Sequence, residues 1–156
     1  MNVQSSTELI ARPDVVVLDL TANSRETALR AVHQAIAQQP GVTDPDRLLR
    51  DMLERVIVAP VCIAADVALP HARTTAVERI VLGVCRVREP GVGFDGEHPN
   101  VRLIFMIGTP RNQVEEYLRL VAAITRLLRK PGARAALLAA PTEAEFRAVL
   151  AGGAAT

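Results

Sequence analysis

Two apolar runs decide what this chain can fold into. Ile80-Val81-Leu82-Gly83-Val84-Cys85 contains no polar side chain, and residues 101–107 contain one, Arg102. A strand that is apolar on both faces must be covered on both faces. The segments on either side supply those covers. Ala28, Leu29, Val32 and Ile36 recur at helical spacing, as do Leu48, Leu49, Met52, Leu53 and Val56. After the second run, Val114, Tyr117, Leu118, Val121, Ile124, Thr125 and Leu128 form a third stripe. Helices precede and follow a block of strands, so the expected class is α/β, with a mixed sheet covered by helices.

Local signals set the boundaries. Val15-Val16-Val17-Leu18 is a short β-branched strand. Ser24 is placed to cap a helix, with Glu26 in its first turn, and Pro40-Gly41 ends it. Asp44 and Pro45 start the next helix. Between residues 56 and 69 the helical period is lost. Apolar pieces separated by Pro60 and Asp66 predict a turn and one or two short strands leading into His71. Residues 90–99 are a polar loop. A long helix is expected over 113–130, a short one over 133–139, and a last one opened by the Thr142/Glu145 capping box. Residues 152–156 read as a frayed tail.

Composition removes several functions. The chain has 156 residues and is 49% hydrophobic, which suits a single domain over residues 1–156. A formal net charge of +1, with three Phe, one Tyr and no Trp, argues against a nucleic-acid surface. No apolar run nears the roughly 20 residues of a membrane span. The N-terminal stretch lacks a secretory pattern, and Cys62 and Cys85 form no disulfide framework. A cytoplasmic protein that is not inserted in a membrane is expected.

His71 is the candidate for chemistry. It follows Pro70, which holds the incoming chain at one φ, at the end of Val67-Ala68-Leu69. A neutral imidazole is a nucleophile at cellular pH. A phosphoryl group on it would need positive donors, and Arg73 and Arg55 are available. From the residues alone, the reading of Arg55 that prevails is a solvated charge complementing a helix C-terminus. Cys62, Cys85 and His71 lack the spacing of zinc ligands, and the cysteines read as small buried hydrophobes. Asp95, Glu97 and His98 share a loop with the donors for weak cation binding, but a solvated loop is the favoured reading. No cofactor or metal is expected.

Four pieces of the sequence together resemble the type-2 enzyme IIA domains of the bacterial sugar phosphotransferase system, the group with fructose, mannitol and nitrogen-regulatory members. These are Glu54-Arg55; Val67-Ala68-Leu69-Pro70-His71; Phe94-Asp95 leading into Val101-Arg102-Leu103-Ile104-Phe105; and Tyr117-Leu118-Arg119-Leu120-Val121. The resemblance runs from about residue 9 to 150. It implies a three-layer α/β/α sandwich around a small mixed sheet. It implies that His71 accepts a phosphoryl group from the phosphocarrier HPr or a nitrogen-branch counterpart. The group then passes to a cysteine of a IIB domain, or makes the protein a phosphorylation-dependent regulator. Arg55 would offset charge on the phosphoryl oxygens, and partners would act in trans.

Two departures from the family pattern bear on efficiency. Tyr117 stands where the family usually has a second histidine. A phenol donates a hydrogen bond but stays neutral near pH 7. Losing a charge-assisted bond costs about 1.5–3 kcal/mol. Cys62, Ala64 and Asp66 stand where the family has a glycine-rich approach, and Asp66 brings a negative charge towards a phosphate site. The alternative expectation is therefore a IIA-fold interaction or sensing module without phosphotransfer.

Overall fold

The two apolar runs form the central strands of a computed structural model that describes residues 6–152. β5 (Val81–Val87) and β6 (Leu103–Thr109) are buried at every position and pair antiparallel. β1 (Val15–Leu20) adds parallel to β5. On the other side of β6 lie β3 (Val67–Ala68) and β4 (His71–Arg73), both parallel to it, with β2 (Cys62–Ala64) antiparallel to β3. The sheet is mixed and has six strands.

Alternation along these strands divides the apolar side chains between two cores. Val81, Cys85, Ile104 and Met106 face α2 (Arg25–Ile36) and α3 (Pro45–Val58). Leu82, Val84, Phe105 and Ile107 face α1 (Ser6–Ala11), α4 (Val114–Arg129), α5 (Ala133–Ala139) and α6 (Glu143–Gly152). The result is the expected α/β/α sandwich. No helix among the described residues is long and apolar enough to cross a membrane.

The helix starts follow their capping residues. Ser24 Oγ accepts the Thr27 N–H at 3.1 Å, Asp44 Oδ1 that of Arg47 at 3.1 Å, and Thr142 Oγ1 that of Glu145 at 3.2 Å. The one cation inside β5, Arg86, is buried with partners. Its Nη1 donates to the carbonyls of Leu137 and Ala140, and its Nη2 to Asp19. This bonding offsets the cost of its desolvation and ties the end of α5 to the sheet.

Some boundaries differ from those expected. β6 starts two residues later than residue 101, because Val101 is spent on a bridge to Val92 that closes the intervening loop. α3 continues past Val56 to Val58. α1 has no periodic stripe to announce it, only the buried pair Leu9 and Ile10. Gly152 belongs to α6, and the rest of the expected tail lies outside the described residues.

Gly83 sets how closely α2 approaches the sheet. A Cβ there would meet Ile36 Cδ1 at 2.6 Å and Val15 Cγ2 at 3.0 Å, both in the packed core. Gly83→Val is expected to destabilise the fold by about 1–3 kcal/mol through overpacking. Denaturant unfolding would show this as a lower midpoint with an unchanged slope.

Candidate active site at the open edge of the sheet

β3 and β4 behave as one strand interrupted by Leu69-Pro70. Val67 lies opposite Leu103 and His71 opposite Ile107, so the register is the same before and after the proline. The interruption is held on both sides. Leu69 N–H donates to the Val61 carbonyl at 2.7 Å, and the Pro70 carbonyl accepts from Ile107 N–H at 2.9 Å. Pro70 has no N–H to leave unsatisfied there. His71 therefore opens a short strand, where the sequence suggested a strand end. Among the described residues β4 pairs only with β6, which leaves its outer edge open.

The period of two places His71 and Arg73 on the same face as Val67 and Leu69, the face covered by α4. Tyr117, in the first turn of that helix, lies over His71 with ring centroids 5.1 Å apart and planes at 35°. Arg55 approaches from the last turn of α3. These residues, with Arg111 and Val114, line a hollow of about 540 Å³. The structure thus gathers His71, Arg55, Arg73 and Tyr117 from three separated segments, β4, α3 and α4.

Sequence reasoning missed Arg111. It follows the Thr109-Pro110 stop of β6 and precedes Gln113, the N-cap of α4. An arginine between a strand stop and a helix start was the available signal. Arg55, Arg73 and Arg111 are exposed and make no hydrogen bond or ion pair among the described residues. Among the described residues, no carboxylate lines this hollow. Asp51 and Glu54 lie in a neighbouring hollow of about 330 Å³ that shares the three arginines. There Asp51 accepts from Thr74 Oγ1 at 2.7 Å.

The imidazole is held in one tautomer. His71 Nδ1 lies 3.0 Å from the Leu69 carbonyl oxygen. A carbonyl only accepts, so in the neutral ring Nδ1 carries the proton and Nε2 keeps its lone pair. Burial pushes the Tyr117 phenol above its ordinary range, and the Arg55 charge opposes this more weakly. Tyr117 is therefore a neutral donor throughout the physiological range.

Two expectations about the approach to His71 change. Asp66 does not line the hollow. It sits in the turn between β2 and β3, where its Oδ1 takes Arg134 Nη1 at 3.4 Å, so an ion pair with α5 absorbs the charge expected to repel phosphate. Cys62, Ala64 and Asp66 have no left-handed φ, so these side chains in place of glycines carry no backbone strain there. The trio Cys62, Cys85 and His71 is not gathered. Cys62 instead lies beside Asp95 and His98.

Burial, followed by the Asp95 charge, pushes the Cys62 thiol up to about 11, and Arg25 opposes this. At pH 8 its thiolate is about 100-fold rarer than that of an ordinary cysteine, while its higher basicity recovers nearly tenfold in nucleophilicity. An aromatic disulfide reagent is expected to modify Cys62 about tenfold more slowly in the folded chain than in the denatured one. The rate should climb as pH rises towards 11. Cys85, fully buried, should react only on unfolding.

Comparisons with known proteins identify the family and the fold. Residues 9–152 match the family described as "Phosphoenolpyruvate-dependent sugar phosphotransferase system, EIIA 2". The chain is 28% identical over 139 residues to the fructose-specific EIIA component of Haloferax volcanii, covering 88% of this chain and 90% of that one. It is 27% identical over 140 residues to the 2-O-alpha-mannosyl-D-glycerate-specific EIIABC component of Escherichia coli, covering 88% of this chain but only 21% of that protein. The chain therefore spans about a fifth of the length of that relative. Among solved structures, the nitrogen regulatory protein IIA-Ntr of Neisseria meningitidis superposes with a TM-score of 0.76 at 19% identity, covering 90% of this chain and 94% of that one. The Escherichia coli enzyme IIA for mannitol, in complex with its phosphorylated enzyme IIB, superposes with a TM-score of 0.72 at 24% identity, covering 88% and 94%. These likenesses establish the fold.

Proposed function

The chain belongs to the EIIA type-2 family of the phosphoenolpyruvate-dependent sugar phosphotransferase system, and on that premise we propose that it is a phosphoryl carrier acting through His71. The donor is an HPr-like phosphocarrier or its nitrogen-branch counterpart. The group passes to a IIB domain or serves as a regulatory signal, in the cytoplasm. One observation carries this reading. The ring of His71 is protonated on Nδ1, with Nε2 free, in a hollow lined, among the described residues, by three arginines and no carboxylate.

The chemistry follows from that arrangement. The Nε2 lone pair attacks the phosphorus of the donor phosphohistidine. The new N–P bond forms as the donor's N–P bond breaks, and its electron pair returns to the donor imidazole. Nδ1–H stays on the Leu69 carbonyl, which favours the positive ring of the phosphorylated state. Arg55, Arg73 and Arg111 have no partners to give up and are available to the phosphoryl oxygens. In onward transfer an acceptor thiolate attacks the phosphorus, and Nε2 leaves with its pair as a neutral ring. Tyr117 supplies one neutral donor where the family usually has a histidine.

Ile57 and Val58 are each 73% exposed and Leu118 is 57% exposed, on the two helices that bring Arg55 and Tyr117 to the hollow. An apolar rim around a charged centre suits transient docking of a partner. The same rim favours the second reading, an interaction module without transfer, in which binding persists after His71→Ala. Enzyme I, HPr and labelled phosphoenolpyruvate distinguish the two. The expected result is stoichiometric, acid-labile label on this chain. No label, under conditions that label an ordinary family member, overturns the carrier reading.

A further inference from the structure

We propose that Cys62, Asp95 and His98 form a binding site for a single zinc-class divalent ion, apart from the His71 hollow. One ligand atom from each of the three lies within 4.8 Å of those of the other two. They come from segments well apart in sequence, Cys62 from β2 and the other two from the turn before β6. Nothing in the phosphoryl chemistry uses them.

The donor set is specific in its chemistry. A thiolate, an imidazole and a carboxylate are together borderline-soft, which selects zinc over magnesium or calcium. Thiolate plus carboxylate supplies two negative charges for a dication. Three protein ligands with a water in the fourth position complete a tetrahedron. With metal–ligand bonds of about 2.0–2.3 Å, ligand atoms around one zinc sit about 3.3–3.8 Å apart. Closing from 4.8 Å requires a shift of about an ångström, within the reach of side-chain rotation in a half-exposed turn.

The turn is already arranged for this. His98 Nδ1 lies 2.7 Å from Asp95 Oδ1, and the carboxylate can only accept. Nδ1 and Oδ1 thus face one point, and an ion that takes both as ligands replaces the hydrogen bond between them and shifts the ring proton to Nε2. Phe94 N–H donates to the His98 carbonyl and Arg25 Nη1 donates to the Phe94 carbonyl at 2.7 Å, which fixes the base of the turn against α2. Cys62 is held by its pairing with Ala68. Asp95 and His98 also line a hollow of about 450 Å³ that gives an ion access.

The test uses the full chain without a histidine tag. Equilibrium dialysis against zinc, with elemental analysis, is expected to give one zinc per chain. Cobalt is expected to give a thiolate-to-metal charge-transfer band in the near ultraviolet. Cys62→Ser should remove that band. Cys62→Ser, Asp95→Asn and His98→Gln should each weaken zinc binding at least about tenfold. His71→Gln and His33→Gln should bind as the parent does. The proposal is overturned by the absence of stoichiometric binding at micromolar zinc. It is equally overturned by binding that survives Cys62→Ser or His98→Gln unchanged, or by binding lost in His71→Gln, which would put the ion in the arginine-lined hollow.

Discussion

His71→Gln is expected to abolish phosphoryl labelling while leaving a folded protein. The loss should be complete because no other group in the hollow is a nucleophile at neutral pH. The arginines are cations and Tyr117 is held as a phenol by burial. Folding should survive because His71 contributes little to the core. Its ring is half-buried and makes one hydrogen bond to Leu69 and one ring contact to Tyr117. Each is worth about 0.5–1.5 kcal/mol. The other described histidines provide the control. His33 Nε2 meets the Pro45 carbonyl at 2.7 Å between two helices, and His98 sits in the turn with Asp95. Labelling should be unchanged in His33→Gln and His98→Gln. Label that persists in His71→Gln, or that disappears only on replacing His98, would remove His71 from the chemistry.

The features legible in the sequence were those that depend on neighbours along the chain. β5 and β6 announce themselves because all but one residue of each, Arg86 and Thr109, is apolar, and the caps at Ser24, Asp44 and Thr142 act within three residues. His71 and Arg55 were visible through the resemblance, which carries long-range information that periodicity lacks. What was hidden depends on pairing between distant segments. Nothing local shows that β3 and β4 keep one register across Pro70, since that register is imposed by β6, 36 residues on. Asp66 looked like a charge aimed at phosphate because its partner, Arg134, is 68 positions away. Arg111 drew no reading from the sequence, because only the fold sets it beside Arg55 and Arg73. The grouping of Cys62 with Asp95 and His98 was invisible for the same reason.

Arg55→Gln is expected to slow phosphoryl transfer about 10²–10³-fold, the range for losing one donor aimed at developing charge. Stability should stay within about 0.5 kcal/mol of the parent, because Arg55 is exposed and has no bonded partner to strand. That separation of rate from stability distinguishes a phosphoryl contact from the alternative of a helix C-terminal charge. A mere dipole partner would lower the melting temperature slightly and leave the rate alone. Arg55 also acts on Tyr117, whose ionisation its charge favours. Removing the charge raises the phenol further, so Tyr117 is the same neutral donor in parent and variant across pH 6–9. The loss in Arg55→Gln should therefore be flat with pH over that range. Single-turnover labelling from phosphorylated HPr measures it. A rate within threefold of the parent would mean that Arg73 and Arg111 suffice for the phosphoryl oxygens and that Arg55 belongs to the docking rim. A loss that grows with pH would mean that the charge works through the ionisation of Tyr117, contrary to the direction in which burial holds that group.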